Sequence, residues 1–366
     1  MTPRKVIQLT PYYPPHVGGV ERVAEALATG LARNHDVEVW TTGVGGHTDA
    51  AGPEATFPVR RLPALEIAHT PVAVRLPRLL LGLPPESVVH VHVAQALWPE
   101  VAAWAASRRG FRMVAHFHLD VDPTGPGGLL LPLYKRHCLT RSLQRADAVI
   151  ALTHVQAEFL EAEYAIDPKR LHVMANGVDP SYLAAGGVTR SPGQPLRALF
   201  VGRLDRQKNI PRLLGALARV TEPVDVVLVG DGEQKAECES LRDRLGLHRV
   251  RFVGVQHGPD LLRWYRWADI FVLPSDREGM PLALLEAMAA GLAIVATDVS
   301  EVAGQVANAG LVVPPDTGHL VGAITALARH GQLLDDLKRR SRIRGRSFSW
   351  DSAVTQLSDL YESLAA

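Results

Sequence analysis

Twice along this chain, short runs of β-branched and apolar residues alternate with longer stretches of helical periodicity, and few folds accept that pattern. In the first half the strand-like runs fall at residues 6–9, 37–40, 88–93, 112–118, 148–152 and 171–174, with helical segments at 20–34, 94–109 and 154–164. The runs are apolar nearly end to end, as strands of a parallel sheet covered on both faces are. Turn chemistry then interrupts the pattern: Asn176-Gly177-Val178-Asp179-Pro180, followed by a Gly-, Ser- and Pro-rich stretch at 184–195. It restarts with runs at 196–201, 226–229, 250–253, 270–273, 294–296 and 311–313. The reading is an α/β chain of two Rossmann-like parallel-sheet domains, 1–180 and 181–349. A closing helix over 350–366 is expected to pack back on the first. Doubly wound domains bind ligands beyond the carboxyl ends of their strands, so the expected site is a cleft flanked by those ends.

Composition narrows the function. With 39 Lys+Arg against 38 Asp+Glu, the formal charge of +1 gives no reason to expect nucleic acid as a partner. The excess of Arg over Lys reads as a bacterial genome's base composition. Two cysteines are too few for a disulfide framework or a thiolate metal cage. The first residues run into a strand without a signal-like apolar segment, and no stretch has the length of a membrane span. A cytoplasmic protein is expected.

Three places carry chemistry. Gly18 and Gly19, in Pro14-Pro-His-Val-Gly-Gly-Val-Glu21, lie between the first strand and the first helix. There, backbone N–H groups approach an anion at a helix start; the plain alternative is a tight turn. Arg203 and Lys208, in Val201-Gly-Arg-Leu-Asp-Arg-Gln-Lys-Asn209, leave a strand end. Their cations suit a pyrophosphate, one as a fork and one as a point charge. Glu278 and Glu286, in Pro274-Ser-Asp-Arg-Glu-Gly-Met-Pro-Leu-Ala-Leu-Leu-Glu-Ala-Met-Ala-Ala-Gly291, are expected just before a helix and two turns inside it, on nearly one face. Carboxylates so near a pyrophosphate suit sugar and ribose hydroxyls. Glu286, among apolar neighbours, also needs a partner that the sequence does not name.

Taken in order, the Gly18-Gly19 loop, the Asn-Gly-Val-Asp hinge, the Gly-Arg-Leu-x3-Lys run and Glu278-x7-Glu286 with its trailing Ala-Met-Ala-Ala-Gly resemble family 4 glycosyltransferases. These are retaining enzymes of the GT-B fold, and the resemblance runs from residue 5 to the closing helix. It implies a nucleotide-sugar donor, UDP ahead of GDP, and transfer of a hexose-type sugar to a hydroxyl of a glycan, lipid-linked or small natural-product acceptor. Gly18 and Gly19 would lie under the donor phosphates, with Arg203 and Lys208 clamping the diphosphate. Glu278 would bind hydroxyls of the transferred sugar, with Gly279, Met280, Pro281 and Leu282 beside it, and Glu286 the ribose diol. Asp231, in Gly230-Asp-Gly232, would line the nucleotide side, and backbone at Val255 and Gln256 the base. His118, in His116-Phe-His-Leu-Asp120, would touch the donor sugar. His118, Arg203, Lys208 and Glu278 are then the catalytic candidates, and neither metal nor other cofactor is expected. Pro281 stands where many relatives have glycine, which removes one backbone donor and leaves the sugar more open.

A nucleotide-sugar epimerase or hydrolase shares the two-domain plan, and a NAD-dependent dehydrogenase lacks its GxGxxG fingerprint here. Asp120-Val-Asp122 has the spacing of a metal-binding DxD, and His90-Val-His92 with His116-Phe-His118 invites metal ligation. Cleft-lining polar residues at strand ends is the preferred account of the histidines. Residues 129–133 with Lys135, Arg136, Arg141 and Arg145 form either a basic amphipathic surface for peripheral membrane contact or a packed helix with solvated arginines.

Overall fold

The structure, a computed structural model, describes residues 4–16, 18–44, 56–67, 70–94, 96–119, 131–185, 191 and 193–364. The chain divides into two compact units, residues 1–176 with 350–366 and residues 177–349. Each has its own parallel sheet.

The first unit holds β1 (Lys5–Leu9), β2 (Asp36–Thr42), β3 (Val59–Leu62), the short antiparallel pair β4 (Leu65–Ile67) and β5 (Thr70–Val72), then β6 (Val88–Val93), β7 (Arg112–Phe117), β8 (Ala148–Ala151) and β9 (Leu171–Val173). Its main sheet runs β3-β2-β1-β6-β7-β8-β9, parallel throughout. The order reverses at β1/β6, which is where such sheets open a crevice at their carboxyl ends. Strand β3 was not predicted. It is Val-Arg-Arg-Leu, a charged edge in which Arg60 pairs with Glu38 at 3.1 Å and lies over the Trp40 ring. Arginines on an edge discourage further pairing and hide the strand from a search for apolar runs.

In β6 the alternation of a pleated strand sorts the side chains: Val89, Val91 and Val93 face one way into an apolar core, and His90 and His92 face the other. On that second side the helix Trp350–Ser363 returns to the unit and packs on the helix Gly19–Leu31. It buries Leu357 and Tyr361, and its Ser358 hydroxyl is 3.2 Å from His35 Nε2.

The second unit carries β10 (Leu196–Val201), β11 (Val224–Val229), β12 (Val250–Phe252), β13 (Ile270–Leu273), β14 (Ala293–Thr297) and β15 (Gly310–Val313). The order β12-β11-β10-β13-β14-β15 is again all parallel, with its reversal at β10/β13. Among these elements Ile270–Leu273 and Ala293–Thr297 are wholly buried, as strands covered on both faces must be. At the end of β11, Gly230 has φ +141°, and a Cβ there would lie 1.9 Å from the Gly202 carbonyl oxygen. Only glycine lets the two strand ends approach that closely.

Candidate functional site

The loops that leave β10 and β13 bring the second unit's candidates together. After β10 a 3-10 turn, Arg206–Lys208, is capped by Asp205, whose Oδ1 accepts the Lys208 N–H at 3.1 Å. That turn aims the Lys208 ammonium at Glu278, and Nζ donates to both carboxylate oxygens at 2.7 and 2.9 Å. The Ser275 hydroxyl donates to Glu278 Oε1 at 2.5 Å. Glu278 is only 3% exposed, and its charge is balanced by the partly buried Lys208 ammonium, as a buried carboxylate requires.

The Glu278 loop is held from several sides. Gln207 donates to the Arg277 carbonyl at 2.9 Å, Arg212 to the Pro274 carbonyl at 2.8 Å, and Thr297 to the Ser275 carbonyl at 2.6 Å. Gln305 donates to the Gly279 carbonyl at 2.7 Å. None of these four residues is assigned a role from the sequence. Ser275 stood inside the quoted motif and its hydroxyl was the available signal.

Glu286 lies in the helix Leu282–Ala290, one turn from its start rather than two, because the helix begins after Pro281 and not at Glu278. Pro281 is the N-cap, and Glu278 stays in the preceding loop, so the two carboxylates do not share a helix face. The partner that Glu286 needed is Tyr265, whose buried hydroxyl donates to Oε2 at 2.8 Å. Tyr265 comes from another helix, Gly258–Trp267, too distant in sequence to be matched by pattern. Gly279 carries the carbonyl held by Gln305, and Met280 and Leu282 are buried beside it.

The remaining second-unit candidates are open. Arg203 is 69% exposed, with Nε 3.4 Å from Asp205 Oδ2, whereas the Lys208 ammonium is engaged by Glu278. Asp231 is exposed, accepting from Gly232 N at 2.8 Å and Lys235 Nζ at 3.1 Å. Val255 is exposed, and Gln256 donates to the Val253 carbonyl at 2.9 Å.

In the first unit Gly18 is the N-cap of the helix Gly19–Leu31. A Cβ on Gly18 would strike the Glu21 carboxylate, 2.1 Å from Oε2, while one on Gly19 would meet open space. Glu21, in the helix's first turn, opposes the positive end of its dipole and lies 2.8 Å from His16 Nδ1.

The four histidines form a network at the carboxyl ends of β6 and β7. His118 Nε2 is 2.9 Å from His92 Nδ1, and His92 Nε2 is 2.7 Å from Gln8 Oε1. His90 joins Tyr361 through Nδ1 at 2.7 Å and His116 through Nε2 at 3.2 Å. Burial first, then the neighbouring rings, hold His90, His92 and His116 well below the usual imidazole range; burial takes His118 down to about 3. These are neutral imidazoles. They do not line an open cleft at strand ends, as expected, because the sheet and the closing helix enclose them: His90 and His92 are wholly buried. Among the described residues His90, His92 and His116 are the one group whose ligand atoms approach within 4.8 Å of one another. Their rings, however, include a stacked pair, and their nitrogens engage one another, Tyr361 and Gln8. Asp120 and Asp122 lie outside the described residues, as do residues 129 and 130 of the basic segment. The rest of that segment is helical, Leu139 and Leu143 packing into the core while Leu133, Arg136, Arg141 and Arg145 are exposed.

Comparison with known proteins agrees with this architecture. The family described as Glycosyltransferase Family 4 matches residues 17–182, and the one described as Glycosyl transferases group 1 matches residues 195–330. A D-inositol 3-phosphate glycosyltransferase of Jonesia denitrificans is 30% identical over 247 residues, 60% of this chain and 58% of that protein. The aligned region thus spans less than two thirds of that relative's length. An alpha-maltose-1-phosphate synthase of Mycolicibacterium smegmatis is 28% identical over 99% of this chain and 100% of its own. Among solved structures, Anabaena HepE in complex with UDP and glucose superposes with a TM-score of 0.79 at 19% identity, covering 98% of this chain and 100% of that one. Two α/β units, each built on a parallel sheet, define a protein of the GT-B class. With both halves matched in order, the chain belongs to the family 4 glycosyltransferases.

Proposed function

We propose that this chain is a retaining, metal-independent hexosyltransferase that takes its sugar from a nucleoside-diphosphate donor, UDP ahead of GDP. The observation that carries the reading is the Lys208–Glu278 pair. An ammonium has three donors, and two are engaged by the carboxylate, which leaves one for a donor phosphate oxygen. The carboxylate in turn accepts three hydrogen bonds and keeps a lone pair for a sugar hydroxyl. One buried pair thereby ties the leaving diphosphate to the sugar that is transferred.

On this reading Lys208, joined by the exposed Arg203, neutralises charge as the diphosphate departs, and the departing phosphate guides the acceptor hydroxyl to the face it leaves. The protein supplies charge and position rather than a nucleophile. Gly18 and Gly19 serve the phosphates, Glu286 and Tyr265 the ribose, Asp231, Val255 and Gln256 the nucleoside, and His118 the sugar. The UDP preference is supported by HepE, a fold neighbour solved with UDP. The acceptor is a hydroxyl of a glycan, a lipid-linked sugar or a small natural product; exposed Leu133, Arg136, Arg141 and Arg145 favour peripheral contact with an anionic membrane. Among the described residues no helix is long and apolar enough to cross one.

A thermal-shift panel with UDP, GDP, dTDP, ADP and NAD, each with and without magnesium, tests the donor. A hundredfold excess over the dissociation constant adds about 2.7 kcal/mol of stability. A shift with UDP that ignores magnesium is expected; a shift with NAD alone, or with no nucleoside diphosphate, would sink the reading.

A further inference from the structure

We infer that Gln8 and His92 are positioning residues that fix the proton of His118 on Nε2 and leave its Nδ1 as a hydrogen-bond acceptor. The inference deepens the reading of His118 as a donor-sugar contact and rests on it for its catalytic consequence.

The argument follows one chain of hydrogen bonds. Gln8 sits on β1, and its Oε1 can only accept. His92 Nε2, 2.7 Å away, must therefore be the N–H. A neutral imidazole carries one N–H, and burial keeps His92 neutral, so its Nδ1 is a lone pair. His118 Nε2, 2.9 Å from that lone pair, must then carry the proton of His118. With His118 neutral as well, its Nδ1 is left as an acceptor. The residues hold each other in place: Gln8 and His92 are wholly buried, and the His92 and His118 rings stack 12° from parallel with centroids 5.1 Å apart. A turn of either ring breaks both the stack and the hydrogen bond.

His118 is the outermost of the three, 6% exposed at the carboxyl end of β7. It would present a sugar with an acceptor for a hydroxyl proton and no N–H to donate. Such selection of one tautomer by an inner partner is a common use of histidine at reactive sites. The parallel chain from Tyr361 through His90 ends at His116, whose Nε2 has no hydrogen-bond partner among the described residues. Among the described residues, the chain that reaches His118 Nε2 is the one from Gln8.

Histidine-selective 15N NMR of the full-length protein tests this directly, because a protonated and a lone-pair ring nitrogen have well-separated shifts. The assigned His118 signals should show Nε2–H alone near neutral pH. In Gln8→Met the anchor is lost, and both tautomers should appear. If the chain transfers sugar as proposed, kcat should fall roughly ten- to a hundredfold with donor KM little changed. Gln8→Glu, which restores the acceptor, should recover the single tautomer. His118 protonated on Nδ1 in the wild type overturns the inference, and so does Gln8→Met with unchanged His118 signals. A fully active His118→Ala, by contrast, would overturn the role given to His118 while leaving the tautomer result standing. Should Gln8→Met fail to fold, the wild-type spectrum decides alone.

Discussion

Lys208 Nζ lies 2.7 Å from one oxygen of Glu278 and 2.9 Å from the other, so the cation proposed for a phosphate is also the counterion of the carboxylate proposed for a sugar. The pair explains how a 3%-exposed acid survives in this loop and couples two roles that the sequence assigns separately.

Lys208→Ala removes that counterion. Turnover should fall by orders of magnitude, and stability by about 3 kcal/mol, since breaking a buried pair strands the remaining charge. Adding Glu278→Gln should recover most of the stability and none of the activity. Denaturant titrations and initial rates of the wild type and the two variants check both halves; a Lys208→Ala protein with native rates would remove Lys208 from the site.

Tyr265→Phe takes away one oxygen and keeps the ring. Glu286 loses the donor at 2.8 Å, so the cost should be about 1–3 kcal/mol, divided between stability and nucleotide affinity. Donor KM should rise while kcat holds, because the ribose is bound alike in ground and transition states. A kcat effect without a KM effect would speak against Glu286 as a ribose ligand.

The four neutral histidines make stability depend on pH. Their folded-state values lie below the ordinary 6.5, so the unfolded chain binds more protons as pH drops. Stability is whole above pH 6.5 and is lost as pH falls from there toward 3, where His118 titrates. Between pH 7.5 and 5.5 the loss should be about 1.4 kcal/mol per histidine, on the order of 5 in all. Denaturant midpoints across that range, compared with those of a His90→Gln/His116→Gln variant, measure it; a flat profile would mean the network is open to solvent.

Gly230→Ala places a Cβ 1.9 Å from the Gly202 carbonyl oxygen at φ +141°. Both the clash and the backbone oppose it, so the second unit should lose more than about 2 kcal/mol. A thermal midpoint within a degree of wild type would contradict the contact between these strand ends.

The exposed arginines at 136, 141 and 145 should retain the protein on anionic liposomes and release it as salt is raised. Co-sedimentation of wild type and a triple Arg→Ser variant measures this. Equal retention of both would place the acceptor away from a membrane or assign contact to another surface.

Most of the strands were legible because parallel strands covered on both faces must be continuously apolar, as Ile270–Leu273 and Ala293–Thr297 are. The glycines, lysine and acids stood out in the sequence because they follow strand ends in fixed order. The sequence by itself determined the α/β class, the restart of the pattern after residue 180 and the residue types at both switch points. Tertiary structure decided who meets whom. Tyr265 reaches Glu286 and Tyr361 reaches His90 across gaps of 21 and 271 residues, and no local periodicity records such distances. It also decided that the histidines are enclosed rather than open to a cleft. Alternation put His90 and His92 on one face of β6, but only a helix arriving from the far end of the chain excludes water from that face. Desolvation there holds the rings neutral.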